Sequence, residues 1–368
     1  MHLLLWLLIL LCPIVASLDV GSSISISNEQ VVPPKPPRRL VLVDGFTEYI
    51  GGVCRQHAKL NDIQVLDVVS PYIAMMLKSQ GQDLPPHLLA PTEESLQAWL
   101  ETHQIELPLD CQDICFLSES DCGVATAESC AKLLGINTEN SPIADIQSKF
   151  VANEKLRQAG IPSIKQALLS SWEQARLFLN DLWLDDPEEL CIIKPARGVA
   201  SDGVFLCRGL QQAEEKFRWL LNAPQYGGGL NQQVLVQQFI RGQEYAVDTV
   251  TRDGETKVLA VWKYHKIPTP HAPFVYQGSL LLDPRADPLL FAQICNFVKA
   301  ALHVNGVRNL PTHTEIKHVD SGAQRGFFLM EINPRFHAQH TCQILRDCLG
   351  YEPMTAAVDA CFHPERYS

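Results

Sequence analysis

Oxygen-bearing side chains recur at strand spacing near the C-terminus. Glu331 and Asn333 end an apolar run, and the two-residue period of a strand places both on one face. Glu315 lies in the preceding strand candidate, and a hairpin centred on Ala323 would bring it opposite Glu331. Like charges directly opposed destabilise a sheet, whereas carboxylate and amide oxygens are good ligands for hard cations. The pattern therefore predicts a divalent-cation site, with exposed carboxylates on a hairpin as the alternative.

A lysine and a glycine-containing loop follow another apolar strand. Residues 191–194 have the sequence Cys-Ile-Ile-Lys, and Gly198 and Gly203 lie in the loop beyond Pro195. Backbone N–H groups of such a loop can approach phosphate oxygens, and Lys194 would neutralise charge on them. An ordinary hairpin loop with a surface lysine is the alternative interpretation.

A third segment pairs a strand end with a carboxylate. The apolar run Val234–Phe239 leads into a turn at Gly242, and Glu244 follows two residues later. Backbone groups around Gln238–Ile240 can hydrogen-bond the edge of a base, and Glu244 can accept hydrogen bonds from ribose hydroxyls. A solvated glutamate after a glycine turn is the alternative.

The elements that position these groups change in type along the chain. Apolar strands at Leu40–Val43 and Ile114–Leu117 alternate with helices, which predicts a small parallel α/β domain. Beyond about residue 190 the apolar runs are short and close together, and Asp253-Gly254 predicts a hairpin turn between two of them. The predicted fold class is thus α/β followed by α+β. Gly51-Gly52 alone is a weak phosphate signal, and there is no complete Gly-x-Gly-x-x-Gly motif.

Composition narrows the class of protein. The 368 residues carry a net charge of −11, which argues against nucleic-acid binding, and 46% of them are hydrophobic, which argues against disorder. The 12 cysteines include no Cys-x-x-Cys pair, so a zinc site of the usual kind is not expected. Several cysteines lie in apolar runs and are predicted to be buried reduced thiols: Cys115, Cys191, Cys207 and Cys295.

The N-terminus is distinct from the rest of the chain. Leu3–Val15 is apolar but too short for a membrane span, and it ends in the small residues Ala16 and Ser17 without a preceding Lys or Arg. A cleaved signal or membrane tether over residues 1–17 and a dispensable extension both fit. A Ser- and Pro-rich linker follows up to Pro37. The predicted organisation is residues 1–37 as this segment and linker, 38–140 as the α/β domain, and 141–368 as a domain of two subdomains.

Taken in order, these segments resemble the ATP-grasp superfamily. Within it they are similar to carboxylate–amine ligases such as bacterial L-amino-acid ligases, and to the related domains of carbamoyl-phosphate synthases. The resemblance covers about residues 40–365 and includes two further stretches, Ser118–Ile136 and Ser148–Pro162, the second containing Lys149. It implies an ATP-grasp fold preceded by a small parallel α/β domain.

The resemblance also implies a role for each motif residue. Lys149 and Lys194 would contact the phosphates of ATP. A mobile phosphate lid would include Gly198, Ser201 and Gly203. The adenine hinge would be Gln237, Gln238, Phe239 and Ile240, with Glu244 on the ribose. Mg²⁺, or Mn²⁺ as an alternative, would be bound by Glu315, Glu331 and Asn333. Arg335 would stabilise an anionic intermediate. The chain departs from the family pattern at Gln237, where Glu is common, at Leu310-Pro311, and in having one glycine fewer in the phosphate loop.

The implied reaction activates a small carboxylate as an acyl phosphate and joins it to an amine, an amino acid being the expected partner. The catalytic part would be cytoplasmic, without nucleic-acid partners, and with membrane contact only through the N-terminal segment; a homodimer stays open. Bicarbonate as the activated acid also stays open. Rival functions are a non-catalytic nucleotide-binding protein and a secreted binding domain. The aromatic, Pro-containing stretch Trp262–Gly278 is interpreted as a substrate-covering loop or a plain surface loop.

Overall fold

The computed structural model describes most of the chain after the N-terminal segment: residues 36–184, 188–196, 198, 203–224, 229–267, 274–322, 324–337 and 341–367. The predicted signal or tether over residues 1–17 and nearly all of the linker lie outside the described residues, as does Ser201. Within the described part, no helix is both long enough and apolar enough to cross a membrane.

A three-stranded parallel sheet forms first, with strand order β2-β1-β3. Its strands are β1 (Arg39–Val43), β2 (Gln64–Val68) and β3 (Ile114–Ser118). The central strand β1 is buried along its whole length, as expected for a parallel strand covered on both faces. The helices that accompany the sheet are α1 (Val53–Leu60), α2 (Pro71–Ser79), α3 (Leu96–Thr102) and α4 (Asp121–Leu133).

The loop between β3 and α4 is held in place by a helix cap. Ser120 caps α4, because its hydroxyl accepts a hydrogen bond from the Gly123 N–H at 2.8 Å. The same hydroxyl donates to Asp44 at 2.6 Å, which ties the cap to the end of β1. Glu119 and Asp121, which flank Ser120, are therefore held at the carboxyl edge of the parallel sheet, where open α/β sheets place their ligands.

A four-stranded antiparallel sheet follows, with strand order β4-β7-β5-β6. Its strands are β4 (Gln166–Leu169), β5 (Leu190–Pro195), β6 (Phe205–Arg208) and β7 (Val234–Gln238). Two helices, α5 (Ile143–Gln147) and α6 (Lys149–Gln158), precede this sheet, and α7 (Trp172–Leu182) and α8 (Gly209–Leu220) pack on it around Phe217. The predicted strand ending at Lys194 is confirmed as β5.

A larger five-stranded antiparallel sheet has the order β10-β9-β8-β11-β12. Its strands are β8 (Gln243–Arg252), β9 (Glu255–Ile267), β10 (Val275–Leu281), β11 (Leu310–Val319) and β12 (Gly326–Asn333). Asp253 and Gly254 both have positive φ and form the two-residue turn between β8 and β9, as predicted. The remaining helices are α9 (Pro288–Val304), α10 (Thr341–Leu349), α11 (Pro353–Phe362) and α12 (Pro364–Tyr367). The predicted combination of α/β and α+β architecture is confirmed.

Two expectations from the sequence are wrong. The stretch Trp262–Gly278 is not a loop in its described part, because Trp262–Ile267 ends β9 and Val275–Gly278 begins β10, the two strands being paired. Cys115 is not a reduced thiol, because it forms a disulfide with Cys361, 246 residues further along the chain. The bond joins β3 to α11, so the parallel sheet is linked covalently to the C-terminal helices. Cys191 and Cys207 are buried free thiols, as predicted, whereas Cys295 is a free thiol that is only partly buried.

Gly51, part of the weak phosphate signal in the sequence, has a packing role in the structure. A Cβ at this position would overlap the Gly45 carbonyl, whereas a Cβ at Gly52 would meet only the end of the flexible Glu48 side chain. We expect Gly51→Ala to lower the free energy of unfolding by about 1–3 kcal/mol, because backbone must move to relieve the overlap. Gly52→Ala is the matched control and should stay within about 0.5 kcal/mol of the parent. Urea unfolding measures both, and equal stability of the two variants would contradict the packing role.

Candidate active site

A cavity of about 770 Å³ lies where the three sheets meet, a size typical of small-molecule sites. Its floor is one face of the five-stranded sheet, and its other walls come from the loop after β3, from α6 and from the end of β5. The charged side chains that line it are Glu119, Asp121, Lys149, Lys194, Glu244, Lys266, Glu315, Lys317, Glu331 and Arg335. Most motif residues singled out in the sequence thus face one space.

The two glutamates of the predicted cation site are directly opposite each other. Glu315 on β11 pairs with Glu331 on β12, so the predicted hairpin is confirmed. The ladder then shifts, because Ile316 pairs with Leu329 and leaves Met330 as an extra residue on β12. This β-bulge allows two consecutive residues, Met330 and Glu331, to face the cavity.

Both carboxylates stay ionised despite their burial. Burial acts to raise the pKa of Glu315, but the nearby His313 imidazole, with 3.6 Å between its Nε2 and Glu315 Oε1, and the charge of Lys266 lower it to about 2. Burial also opposes ionisation of Glu331, and the nearby Lys149 ammonium outweighs it and lowers the pKa. The Lys149 Nζ lies 2.6 Å from Glu331 Oε2, and the Lys266 Nζ lies 3.9 Å from Glu315 Oε2. Two opposed carboxylates that remain charged are a suitable donor set for Mg²⁺.

Asn333 supports Glu331 and does not itself line the cavity with the other described residues. Its side-chain amide donates a hydrogen bond to Glu331 Oε1 at 3.1 Å, so both side chains share one face of β12 as the strand period predicted. In this arrangement Asn333 holds the carboxylate that the cation would contact.

Lys149 and Lys194 line the same cavity as the carboxylates. Lys149 is the first residue of α6, whose N-terminus is capped by Ser148, and its Nζ also donates to the Gly198 carbonyl at 3.4 Å. Burial lowers the pKa of Lys194 to about 7, and the charge of Lys149 lowers it further in the same direction. Gly198 lines the cavity, whereas Gly203 packs against Pro195 outside it.

The segment expected to bind the base lines the cavity from Gln237 to Ile240. Its backbone is partly engaged already: the Gln238 N–H donates to the Lys165 carbonyl at 2.8 Å, and the Ile240 carbonyl accepts from Lys317 at 3.2 Å. The Gln237 side chain donates to Gln166 at 2.7 Å, which anchors β7 to β4. A base bound here must therefore hydrogen-bond to backbone groups of residues 237–240 other than the Gln238 N–H and the Ile240 carbonyl.

Glu244 is buried and paired, in contrast to the solvated alternative considered above. It lies opposite Lys317 in the ladder between β8 and β11, and it accepts a short hydrogen bond from Lys266. Burial and the charge of Glu315 raise its pKa. Lys266 also lies over the ring of Tyr276, with 4.2 Å between its Nζ and the ring centroid.

Lys266 and Lys317 are cavity residues that the sequence analysis missed. Lys317 is two residues from Glu315 on β11, and Lys266 is two residues from the cavity-lining Tyr264 on β9, so each follows the strand period. The period counted from Glu315 would have identified Lys317. Lys266 could not be placed, because its segment was interpreted as a loop.

The sequence analysis also missed that His313 and His337 lie next to each other at the cavity. The Asp248, His313 and His337 side chains offer ligand atoms within 4.8 Å of one another. Each histidine nitrogen already has a partner, however: both Nδ1 atoms contact the Asp248 carboxylate, and both Nε2 atoms contact the Tyr264 hydroxyl. Such a closed ring of hydrogen bonds is satisfied without an ion.

Comparisons with known proteins agree with this geometry. Residues 188–343 match the family model for the ATP-grasp domain. Dapdiamide A synthase from Enterobacter agglomerans is 26% identical over 257 residues, 68% of this chain and 56% of that protein. The L-arginine-specific L-amino acid ligase from Bacillus subtilis is 25% identical over 181 residues, 48% of this chain and 40% of that protein. The chain thus spans about half the length of these curated relatives.

Solved structures extend the likeness to most of the chain. The crystal structure of L-amino acid ligase from Bacillus licheniformis superposes with a TM-score of 0.61 and 16% identity, covering 89% of this chain and 75% of that one. At this identity the likeness concerns the fold. The chain thus has the ATP-grasp fold, and residues 188–343 of it match the ATP-grasp domain model.

Proposed function

We propose that the protein is an ATP- and Mg²⁺-dependent ligase that joins a small carboxylic acid to an amine, with an amino acid as at least one substrate. The observation that carries the proposal is the opposed pair Glu315 and Glu331, which line one cavity together with Lys149 and Lys194. The activities named for the relatives, a dapdiamide A synthase and an L-amino acid ligase, support it. The products are an amide, ADP and phosphate.

The nucleotide is proposed to lie along the cavity from β7 to the carboxylates. Gln237, Gln238, Phe239 and Ile240 would contact the base, and Glu244 would accept hydrogen bonds from the ribose in place of Lys266. Lys149 and Lys194 would contact the phosphates under the loop that contains Gly198, Ser201 and Gly203. The burial of both lysines beside the carboxylates supports this role. Phosphate oxygens would replace the water molecules that burial removes from the two ammonium groups.

Glu315 and Glu331 would hold Mg²⁺, with Asn333 fixing Glu331 or completing the ligand set. The bound ion would neutralise charge on the transferring phosphoryl group. Lys149 would then release Glu331, its partner at 2.6 Å, and turn to the phosphates. Oxygen donors of this kind suit both Mg²⁺ and Mn²⁺, and ADP release measured with each ion in turn identifies the preferred one.

The proposed reaction has two steps that the cavity residues assist. A carboxylate oxygen attacks the γ-phosphorus, so an O–P bond forms as the bond to ADP breaks, and the product is an acyl phosphate. The amine nitrogen then attacks the carbonyl carbon, phosphate leaves and the nitrogen loses a proton to solvent. Arg335 would stabilise the oxyanion of this second step, a contribution of about 3–4 kcal/mol for a well-placed donor.

Release of ADP over a panel of amino-acid pairs tests the proposal. We expect at least one pair to stimulate ADP release in the presence of MgATP, with an amide product of matching mass. Bicarbonate with each amine is included in the panel, to identify the activated acid. Tight MgATP binding without stimulation by any pair would instead indicate a non-catalytic nucleotide-binding protein.

A further inference from the structure

Arg335 donates hydrogen bonds to two described partners, Asp121 and the Phe336 carbonyl. Its Nε lies 2.7 Å from Asp121 Oδ1 and its Nη2 lies 2.8 Å from Asp121 Oδ2, a bidentate pair. Its Nη1 donates to the Phe336 carbonyl at 2.9 Å. Of the five N–H donors of a guanidinium, these bonds use three, so two are left for a ligand.

The partner of Arg335 comes from a different part of the molecule. Asp121 is the first residue of α4, held at the edge of the parallel sheet by the Ser120 cap, whereas Arg335 follows β12 of the five-stranded sheet. The two residues are 214 positions apart, and both line the cavity. Their pairing raises the pKa of Arg335 against the effect of burial. The bridge therefore spans the cavity wall and sets where the guanidinium can lie.

A second aspartate, Asp248, contacts the segment that carries Arg335 through the His337 side chain. The His337 Nδ1 lies 3.2 Å from Asp248 Oδ2, and Asp248 is buried in β8 with two further partners. These are the His313 Nδ1 at 2.8 Å and the Trp262 Nε1 at 2.6 Å. The Phe336 side chain between the two anchored residues is itself buried. Over its described residues 334–337, the segment that carries Arg335 is thus held through the side chains of Arg335 and His337.

We infer that Asp121 and Asp248 are positioning residues for Arg335, Asp121 directly and Asp248 through His337. The inference rests on the proposed function, in which Arg335 meets the reacting carbonyl. An unrestrained arginine would lose rotamer freedom when it binds an oxyanion, and the two aspartates restrict that freedom before the ligand arrives. Neither aspartate is required to touch substrate.

A double-mutant cycle tests the direct half of the inference. Asp121→Asn should lower kcat by about 10- to 100-fold while the KM for ATP changes little, because orientation rather than nucleotide binding is lost. In an Arg335→Lys background, Asp121→Asn should cause no further loss, since lysine cannot form the bidentate pair. If the fold-loss of kcat in the double variant equals the product of the losses in the two single variants, the inference is overturned.

The His337 connection needs a different design, because Asp248→Asn places a buried amide NH₂ donor where a carboxylate oxygen accepts hydrogen bonds, and this can prevent folding. We compare His337→Ala with His337→Asn, whose amide can still donate to Asp248. The Asn variant should recover at least about half of the kcat lost in the Ala variant. If the two folded variants lose the same fraction of kcat, the inference that Asp248 acts through His337 is overturned.

A measurement without substrates separates failure of the inference from failure of the proposed function. In the ligand-free protein, the Arg335 Nε–H should exchange with water about tenfold more slowly than in Asp121→Asn, as followed by ¹⁵N NMR. If no substrate pair releases ADP but this difference is found, the positioning stands and the ligase proposal fails. Unchanged exchange in Asp121→Asn would overturn the positioning itself.

Discussion

Glu331→Gln is expected to lower MgATP-dependent ADP release by about 10²–10³-fold, the effect of removing one charge-stabilising group from such a site. The amide keeps the shape of the side chain and the contact with Asn333, but it removes one of the two opposed charges that would bind the cation. The loss should be partly recovered at high Mg²⁺, because a weaker site fills at higher concentration. Initial rates of ADP release over a range of Mg²⁺ concentrations measure both effects.

A glutamate of the same sheet provides the control for this change. Glu255 begins β9 with an exposed side chain, far from the cavity lining, so Glu255→Gln should leave the rate and its Mg²⁺ dependence unchanged. Glu331→Gln also removes the partner of Lys149, which makes a comparison of thermal stability necessary. A Glu331→Gln protein that is folded and retains more than a third of the parent rate would refute the assignment of this carboxylate to the cation.

The second large effect concerns protons taken up when nucleotide binds to Lys194. Burial lowers the pKa of this lysine to about 7, so at pH 8 it is mostly neutral before binding. Phosphate oxygens favour the ammonium form and raise the pKa, so binding at pH 8 should take up about 0.9 proton per nucleotide. MgATP affinity should accordingly fall as pH rises above 7, by up to about tenfold per pH unit, until the pKa of the complex is reached.

Calorimetric titration at pH 8 in two buffers of different ionisation enthalpy measures this uptake. Lys194→Met should abolish most of it and weaken binding at pH 7, whereas Lys78→Met, on an exposed position of α2, should change neither. Equal proton uptake by the parent and by Lys194→Met would show that another group titrates on binding.

Strand periodicity predicted much of the site, for a physical reason. The five-stranded sheet has one face on a core and the other on the cavity, so residues two apart share an environment, and this period predicts that Glu331 and Asn333 lie on one face. The hairpin centred on Ala323 predicts in turn that Glu315 lies opposite Glu331. The strand that ends near Lys194, β5, likewise followed from an apolar run, which is a local signal.

Local signals could not reveal contacts between distant elements. β10 was missed because most of its residues are exposed, so its sequence has no buried face, and its pairing with β9 depends on the tertiary fold. The Cys115–Cys361 bond and the Arg335–Asp121 pair join residues more than 200 positions apart, and no spacing rule predicts such partners. The ring of Asp248, His313, Tyr264 and His337 depends on strand order, which periodicity leaves undetermined.

The extra residue at Met330 adds a cavity-facing side chain to β12 without changing the direction in which its neighbours face. Leu329 and Ile332 are buried in the core, whereas Met330 and Glu331 between them face the cavity. A strand that lacked Met330 would run Leu329, Glu331, Ile332 in regular alternation, so the carboxylate would stay on the cavity face, opposite Glu315. Replacement of Met330 by a smaller apolar residue therefore reshapes the wall of the cavity and leaves the opposed carboxylates in place.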